Sequence, residues 1–326
     1  VIWVTWRRYR LAFAVAVALL IVLALWMGYV AHGFDAGPRA QGGELCRFNL
    51  SGCGFSNGPF SLENQGQIID VLLLAAPCLF GVVFGTSLVA GELERHTNRL
   101  AWTQGVSRTR WLVTQWVVVA IGLVVLTVVF VPFVQWWSSH IIVRGTVYAP
   151  VGLGRLQPDI YPVTGIVPVA YSLFALSLGM ALGAVLRRVS WAIVGTVVVY
   201  ALAAFFIVSS VRPNLDSQVL IRSDGGAEVN LTHALNQGAW QLDFGAKLLP
   251  GHELPTGASS ATELARTCFY QQHVAQCWSS HGLEAGTYVQ PLTHYWPIQF
   301  TEFVIYLVAA VLLFGLALWA VRRWRV

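Results

Sequence analysis

The residues of this chain able to do chemistry are few and sit in three places. Between two apolar runs lies GELERHTNRLAWTQGVSRTRW, Gly91 to Trp111, which opens on the acids Glu92 and Glu94 and closes on the bases Arg108 and Arg110. Two polar segments each hold a close cysteine pair, Cys46/Cys53 and Cys268/Cys277. A third stretch, Gln290 to Glu302, reads QPLTHYWPIQFTE. None of these is an enzyme's constellation. Ser87 lies in GTSL, not in a GxSG setting, and no apolar run contains His, which argues against an intramembrane serine protease. A phosphate-cradling loop needs glycines followed by Lys and then Ser or Thr. The one lysine, Lys247, precedes Leu248. Any ATP chemistry is therefore expected on a separate polypeptide.

The cysteines lead to disulfides more readily than to a metal. Four cysteines allow three pairings. The nearest-neighbour choice, Cys46–Cys53 with Cys268–Cys277, closes two short loops, and a bridge between the two segments is the alternative. Cys268, His273 and Cys277 have metal-like spacing but lack a fourth ligand, so no metal is expected. Cys78 lies inside an apolar run and reads as a small buried residue.

The elements that carry these residues are set by composition. The chain of 326 residues is 56% hydrophobic and 11% charged, against roughly 25% charge in soluble domains. A membrane-crossing helix needs ~20 mostly apolar residues. Six runs qualify, at about 11–30, 71–91, 111–137, 165–186, 189–211 and 303–321. Trp residues near many run ends, among them Trp111, Trp136, Trp137, Trp191, Trp296 and Trp319, suit an interfacial belt. The fold expected is an all-α integral membrane protein. The first run is too long for the ~7–15-residue core of a signal peptide and lacks a small-x-small site after it, so it reads as a span.

Orientation follows from arginine. With the N-terminus inside, Arg7, Arg8, Arg10, Arg95, Arg99, Arg108, Arg110, Arg187, Arg188, Arg322, Arg323 and Arg325 all face the cytoplasm, about 12 of the 20 basic residues in about 40 positions. The opposite orientation breaks the positive-inside rule at every inner segment. Both termini are then cytoplasmic and both cysteine pairs lie outside, where disulfides persist. The stretch 212–302, between the fifth and sixth spans, becomes a large extracellular loop with helix-like stretches such as Ala261–Ser279. The spans contain essentially no ionisable residue, which argues against ion coupling. Asp70 and Glu302 fall at outer ends within reach of water, and Glu302 is expected to cap the last helix. Thr86, Ser87, Thr127, Tyr171, Ser172, Ser177, Thr196 and Tyr200 are expected to serve helix–helix contacts.

In the inner segment Leu93, Thr97, Leu100 and Gln104 fall at helical spacing, Glu92 and Arg95 can pair three residues apart, and Gly105 stops the helix. On physics alone the segment is either a solvated loop carrying topology charges or a docking surface for a cytoplasmic partner. With its acidic start, Thr97 and the tail TQGVSRTRW from Thr103 to Trp111, it resembles the permease subunits of ABC-2 type transporters (type V exporters). QPLTHYWPIQFTE resembles the QPxxRFWxxQxxE pattern of actinobacterial permeases of this group, with His294 and Tyr295 where that pattern often has Arg and Phe. The resemblance extends over the whole chain as architecture and about 35 residues as motif.

That resemblance implies a single transmembrane permease domain over 1–326, with residues 92–110 as the coupling-helix segment. It places Glu92, Glu94, Arg95, Thr97, Leu100 and Arg108 at the contact with an ATPase subunit. Trp6, Arg7, Arg8 and Tyr9 resemble the short interfacial helix before the first span, or simply anchor it in headgroups. In the family the second and fifth spans line the pathway at a dimer axis, which nominates Phe80, Phe84, Tyr200, Phe205 and Phe206. An uncharged aromatic lining suits a hydrophobic or amphipathic substrate: drug, antibiotic, lipid or peptide. The expected assembly is two such chains, identical or merely similar, with two ATPase copies carrying the ATP and Mg, in a bacterial cytoplasmic membrane. This chain itself would bind no cofactor and no nucleic acid. The alternative is a membrane-anchored sensor that displays the large outer loop.

Overall fold

The computed structural model describes residues 2–40, 62–94, 107–143, 155–158, 160–222, 231, 233–235, 237–252, 254–255, 258–268 and 274–323. Six helices among them are long and apolar enough to cross a membrane: Thr5–Gly33, Gln65–Gly91, Thr109–Ser138, Val167–Leu186, Val189–Asn214 and Leu292–Arg323. They are called the first to sixth spans. The chain divides into two compact units. One comprises residues 1–147, 159–208 and 299–326, and the other 148–158 and 209–298.

The fourth span is the centre of the membrane unit. Sixteen of its residues are buried, whereas the helix Val189–Phe206 of the fifth buries only Ala192, Thr196 and Tyr200. Those three, each four residues apart, make one stripe. Small side chains let the fourth span meet the second backbone to backbone. A Cβ on Gly81 would stand 2.5 Å from the Ala175 carbonyl oxygen, and one on Gly85 2.6 Å from that of Leu176. Such close seams are how helices associate where lipid is as apolar as leucine. Pro77 lies just upstream, within Leu62–Phe80, and the helix passes through a π turn at Gly81–Thr86 before resuming over Ser87–Glu94. Proline has no N–H and crowds the carbonyl four residues back, and a π turn is a common local adjustment in such helices. The Thr86 hydroxyl donates to the Val82 carbonyl and the Ser87 hydroxyl to that of Val83, both at 2.6 Å, supplying donors where the bilayer offers no water.

The other in-span hydroxyls divide between own-helix carbonyls and neighbours. Thr196 donates to the Ala192 carbonyl (2.7 Å). Thr127 and Ser172 lie 3.3 Å apart across the third and fourth spans, and the Trp116 indole N–H donates to the Ser177 hydroxyl at 3.1 Å. Two expectations need correction. The first helix runs unbroken from Ile2 to Ala40, with no separate interfacial helix. Trp6, Arg7 and Arg8 are exposed on it and Tyr9 is buried. The last helix begins at Tyr295, eight residues before the apolar run, so Glu302 caps nothing. Glu302 is fully buried and accepts a hydrogen bond from the Tyr171 hydroxyl. The apolar run ended at this acid in the sequence because its buried partner lies 131 residues away.

The outer unit holds a three-stranded antiparallel sheet where no strand was expected. The strands are β1 (Val219–Arg222), β2 (Trp240–Leu248) and β3 (Leu283–Gln290), in the order β1-β3-β2. Val219 faces Val289, and Leu248 faces Leu283. Trp240, Leu242, Phe244, Ala246 and Leu248 of WQLDFGAKL alternate with polar residues or glycine, the usual strand signal, whereas VLIR and LEAGTYVQ alternate poorly. The helices Ala261–Cys268 and Val274–Ser280 supply Ala265, Cys268, Cys277 and Trp278 to a small core shared with Ala246, Leu283 and Ala285. Cys268 and Cys277 form a disulfide with Cα atoms 5.7 Å apart. His281 lies close to both sulfurs, but the bridge uses the two thiols that a metal would need as thiolates. Cys46, Cys53 and His273 lie outside the described residues.

The glycine seam yields a first expected outcome. Gly85→Ala forces a methyl into the Leu176 carbonyl and should destabilise by about 1–3 kcal/mol, as overpacking does. Gly28→Ala, where nothing lies within 4 Å, should leave stability unchanged or slightly raised. Thermal unfolding of the two purified variants in one detergent checks the contrast.

Candidate functional site

The inner ends of the spans are joined by short-range polar contacts. The second-span helix ends at Glu94, whose exposed carboxylate accepts the backbone N–H of Val189 at 2.8 Å. Val189 is the first residue of the fifth-span helix, and the preceding Arg188 gives no side-chain cap. The first N–H groups of a helix have no partner of their own, and a carboxylate there also suits the positive end of the helix dipole. Glu94 thus caps the fifth span from the end of the second. The tight turn before it is made by Arg187, in the left-handed region with φ 57°, its N–H donating to the Gly183 carbonyl at 3.1 Å.

The other end of the inner segment is also tied. Ser107 is the N-cap of the third-span helix: its hydroxyl accepts the Arg110 N–H at 3.3 Å, the bond that a serine cap makes three residues on. One residue into that helix, the Thr109 hydroxyl accepts a bond from Arg322 Nε at 3.4 Å, linking it to the end of the sixth span. Arg323 lies 4.3 Å over the Trp319 ring. Glu94 and Thr109, on either side of the stretch 95–106, are thus bonded to the fifth and the sixth span. Arg95, Thr97 and Leu100 lie outside the described residues, as do the side chains of Glu92 and Arg108.

The aromatics nominated for a pathway are split between packing and exposure. Phe84 is buried with its ring 4.7 Å from that of Phe13 and 6.5 Å from those of Tyr9 and Phe80. Tyr200 is buried 6.1 Å from Phe174. Phe205 and Phe206 are exposed. Phe80 borders an apolar cavity of about 50 Å³ between the first four spans, where Leu20, Pro77, Thr127, Phe130 and Ser172 also stand. Sites for drug-sized ligands run to ~300–1,000 Å³, so this space takes a few methylene groups at most. Its two hydroxyls are already bonded, Thr127 to the Leu123 carbonyl (2.8 Å) and Ser172 to that of Pro168 (2.9 Å).

A family model described as ABC-2 membrane transporter related matches residues 15–212. The chain belongs to that family. No curated protein and no solved structure matches it. It is accordingly a multi-pass cell-membrane protein and a transport subunit of the ABC class, whose family implies an ATPase partner. The matched stretch begins within the first span, ends within the last turn of the fifth and includes Glu94, Val189 and Thr109. Sequence reasoning nominated Glu94 in this permease for the partner contact and missed its bond to Val189, because a backbone N–H has no side-chain signature. It missed Thr109 and Arg322 for another reason: both read as ordinary residues of an interfacial stretch.

The Glu94 cap carries a second expected outcome. Glu94→Gln keeps an acceptor oxygen and should hold the Val189 amide nearly as protected from deuterium exchange as in the wild type. Glu94→Ala removes the acceptor, and exchange at Val189 should rise about threefold to tenfold, in the range seen for a lost N-cap.

Proposed function

We propose that this chain is the membrane subunit of an ATP-driven exporter that moves a hydrophobic or amphipathic substrate out of the cell. The observation that carries the reading is the pair of ties at the inner segment, Glu94 to Val189 and Thr109 to Arg322. They give a cytoplasmic motor a handle on the second, third, fifth and sixth spans at once. The segment bears the densest mixture of acid and base in the chain, and its arginines face the cytoplasm by the positive-inside rule. ATP and Mg belong to the ATPase, two copies of which would draw together on binding nucleotide and move the segment with them.

The pathway is proposed to lie between two copies of this chain. The cavity beside Phe80, about 50 Å³, is too small for a drug, antibiotic, lipid or peptide. The fifth span, by contrast, leaves all but one stripe of its helix uncovered, with Trp191, Leu202, Phe205 and Phe206 exposed. A second copy facing that surface would enclose an aromatic, uncharged path between the fifth spans. The disulfide-closed outer unit, with its own core, supports a second reading in which the chain displays a sensor or binding module outside the cell.

Gentle purification of the tagged chain from its native host, with mass spectrometry of the proteins retained, separates the two readings. An ATPase with phosphate-binding motifs at one copy per permease is the expected result. Recovery of the chain without one, under conditions that keep a known ABC complex whole, favours the display reading. Glu94→Arg reverses a charge at the proposed contact and should abolish ATP-driven efflux by reconstituted vesicles while the spans remain folded. Unchanged efflux would remove Glu94 from the coupling surface.

A further inference from the structure

The sixth span carries two fully buried polar residues, Gln299 and Glu302, one helical turn apart and so on one face. Gln299 makes all of its bonds to backbone at the start of the fourth span. Its side-chain oxygen accepts the N–H groups of Ile166 (3.0 Å) and Val167 (3.1 Å), and its NH₂ donates to the carbonyls of Thr164 (3.2 Å) and Tyr161 (3.4 Å). The two N–H groups belong to the first turn of a helix whose own N-cap side chain gives no bond. The two carbonyls belong to the tight turn Tyr161–Val163 and its end. One amide therefore caps the fourth span and holds the turn that leads into it. A turn further along, Glu302 accepts the hydroxyl of Tyr171, whose ring meets Tyr306 edge-on at 4.6 Å.

Gln299, Glu302, Tyr161, Thr164, Val167 and Tyr171 are buried and Ile166 is half-buried, so these groups depend on protein partners more than on water. An unmatched amide or carboxylate in this setting costs several times what the same group costs at a surface. We infer that Gln299 and Glu302 are positioning residues for transport, holding the outer ends of the fourth and sixth spans as one rigid body throughout the ATP cycle. The fourth span is itself seated on the second along the glycine seam, and the second leads to the inner segment. Movement started at that segment then reaches the outer half of the sixth span through the glycine seam and this buried staple, in addition to its inner end through Thr109 and Arg322. The transport role rests on the exporter reading above. The staple itself does not.

Deuterium exchange of the full chain with its ATPase in lipid nanodiscs tests both, first without nucleotide and then trapped with ATP and vanadate. The amides of Ile166 and Val167 should stay protected in both states of the wild type. Gln299→Leu, similar in size but without polar atoms, should raise their exchange by about tenfold. Gln299→Glu, which keeps the acceptor and loses the donors, should raise it less. In vesicles preloaded with a rhodamine-type amphipathic dye, Gln299→Leu should lower dye moved per ATP hydrolysed by about fivefold or more, with Gln299→Glu between it and the wild type. If Gln299→Leu does not fold, Tyr171→Phe removes one hydroxyl, keeps the ring against Tyr306, and should show a smaller loss of the same kind. Loss of protection in the trapped wild type would refute the single body. Faster exchange with dye moved per ATP unchanged would refute the positioning role. A wild type that hydrolyses ATP but moves no dye overturns the substrate class proposed above, and the two-state exchange still decides the staple.

Discussion

The bilayer interior supplies no hydrogen bonds, and the arrangement of the membrane unit follows from that constraint. The Val82 and Val83 carbonyls of the π turn, the open first turn of the fourth span and the buried Glu302 must each be answered by protein. Thr86 and Ser87 answer the first, Gln299 the second and Tyr171 the third. All of these contacts converge on the second and fourth spans or on the helix beside them. The fourth span is buried on nearly every side because it is the element against which the others resolve their unmatched groups.

Small residues do the complementary work. With no hydrophobic drive between helices in lipid, close backbone approach supplies the attraction, and Gly81, Gly85 and Gly179 provide it where any side chain would collide. The fifth span is built the other way, with one stripe of Ala192, Thr196 and Tyr200 turned inward and bulky apolar residues elsewhere. A helix so lightly held in its own chain is suited to a second contact. A helix as tightly held as the fourth is suited to carrying force.

Much of the membrane fold was legible because its signal is one-dimensional. A run of ~20 apolar residues is enough to define a span, so the number of spans and their approximate positions could be read directly. The sixth span shows where that signal stops. Its apolar run ends at Glu302, but the helix begins at Tyr295, because the acid is buried against a hydrogen-bond donor far away in sequence. The outer sheet left one local mark, the alternation of WQLDFGAKL in β2, which sequence reasoning missed; VLIR and LEAGTYVQ show no such pattern, being held by register within the sheet and by a disulfide-bound core.

The sequence alone determined that the chain crosses the membrane six times, which segments carry the arginines, and that no phosphate-binding loop accompanies them. Composition and length decide those matters because the cost of exposing a polar chain to lipid depends on residue type, hardly on neighbours. Tertiary structure decided which of the polar residues matter to one another. Glu94 with Val189, Thr109 with Arg322, and Gln299 with Ile166 and Val167 are separated by 95 to 213 positions. Three of those partners, Val189, Ile166 and Val167, contribute a backbone N–H that every residue but proline possesses. Only the packing of the spans brings a particular N–H within reach of a particular side chain.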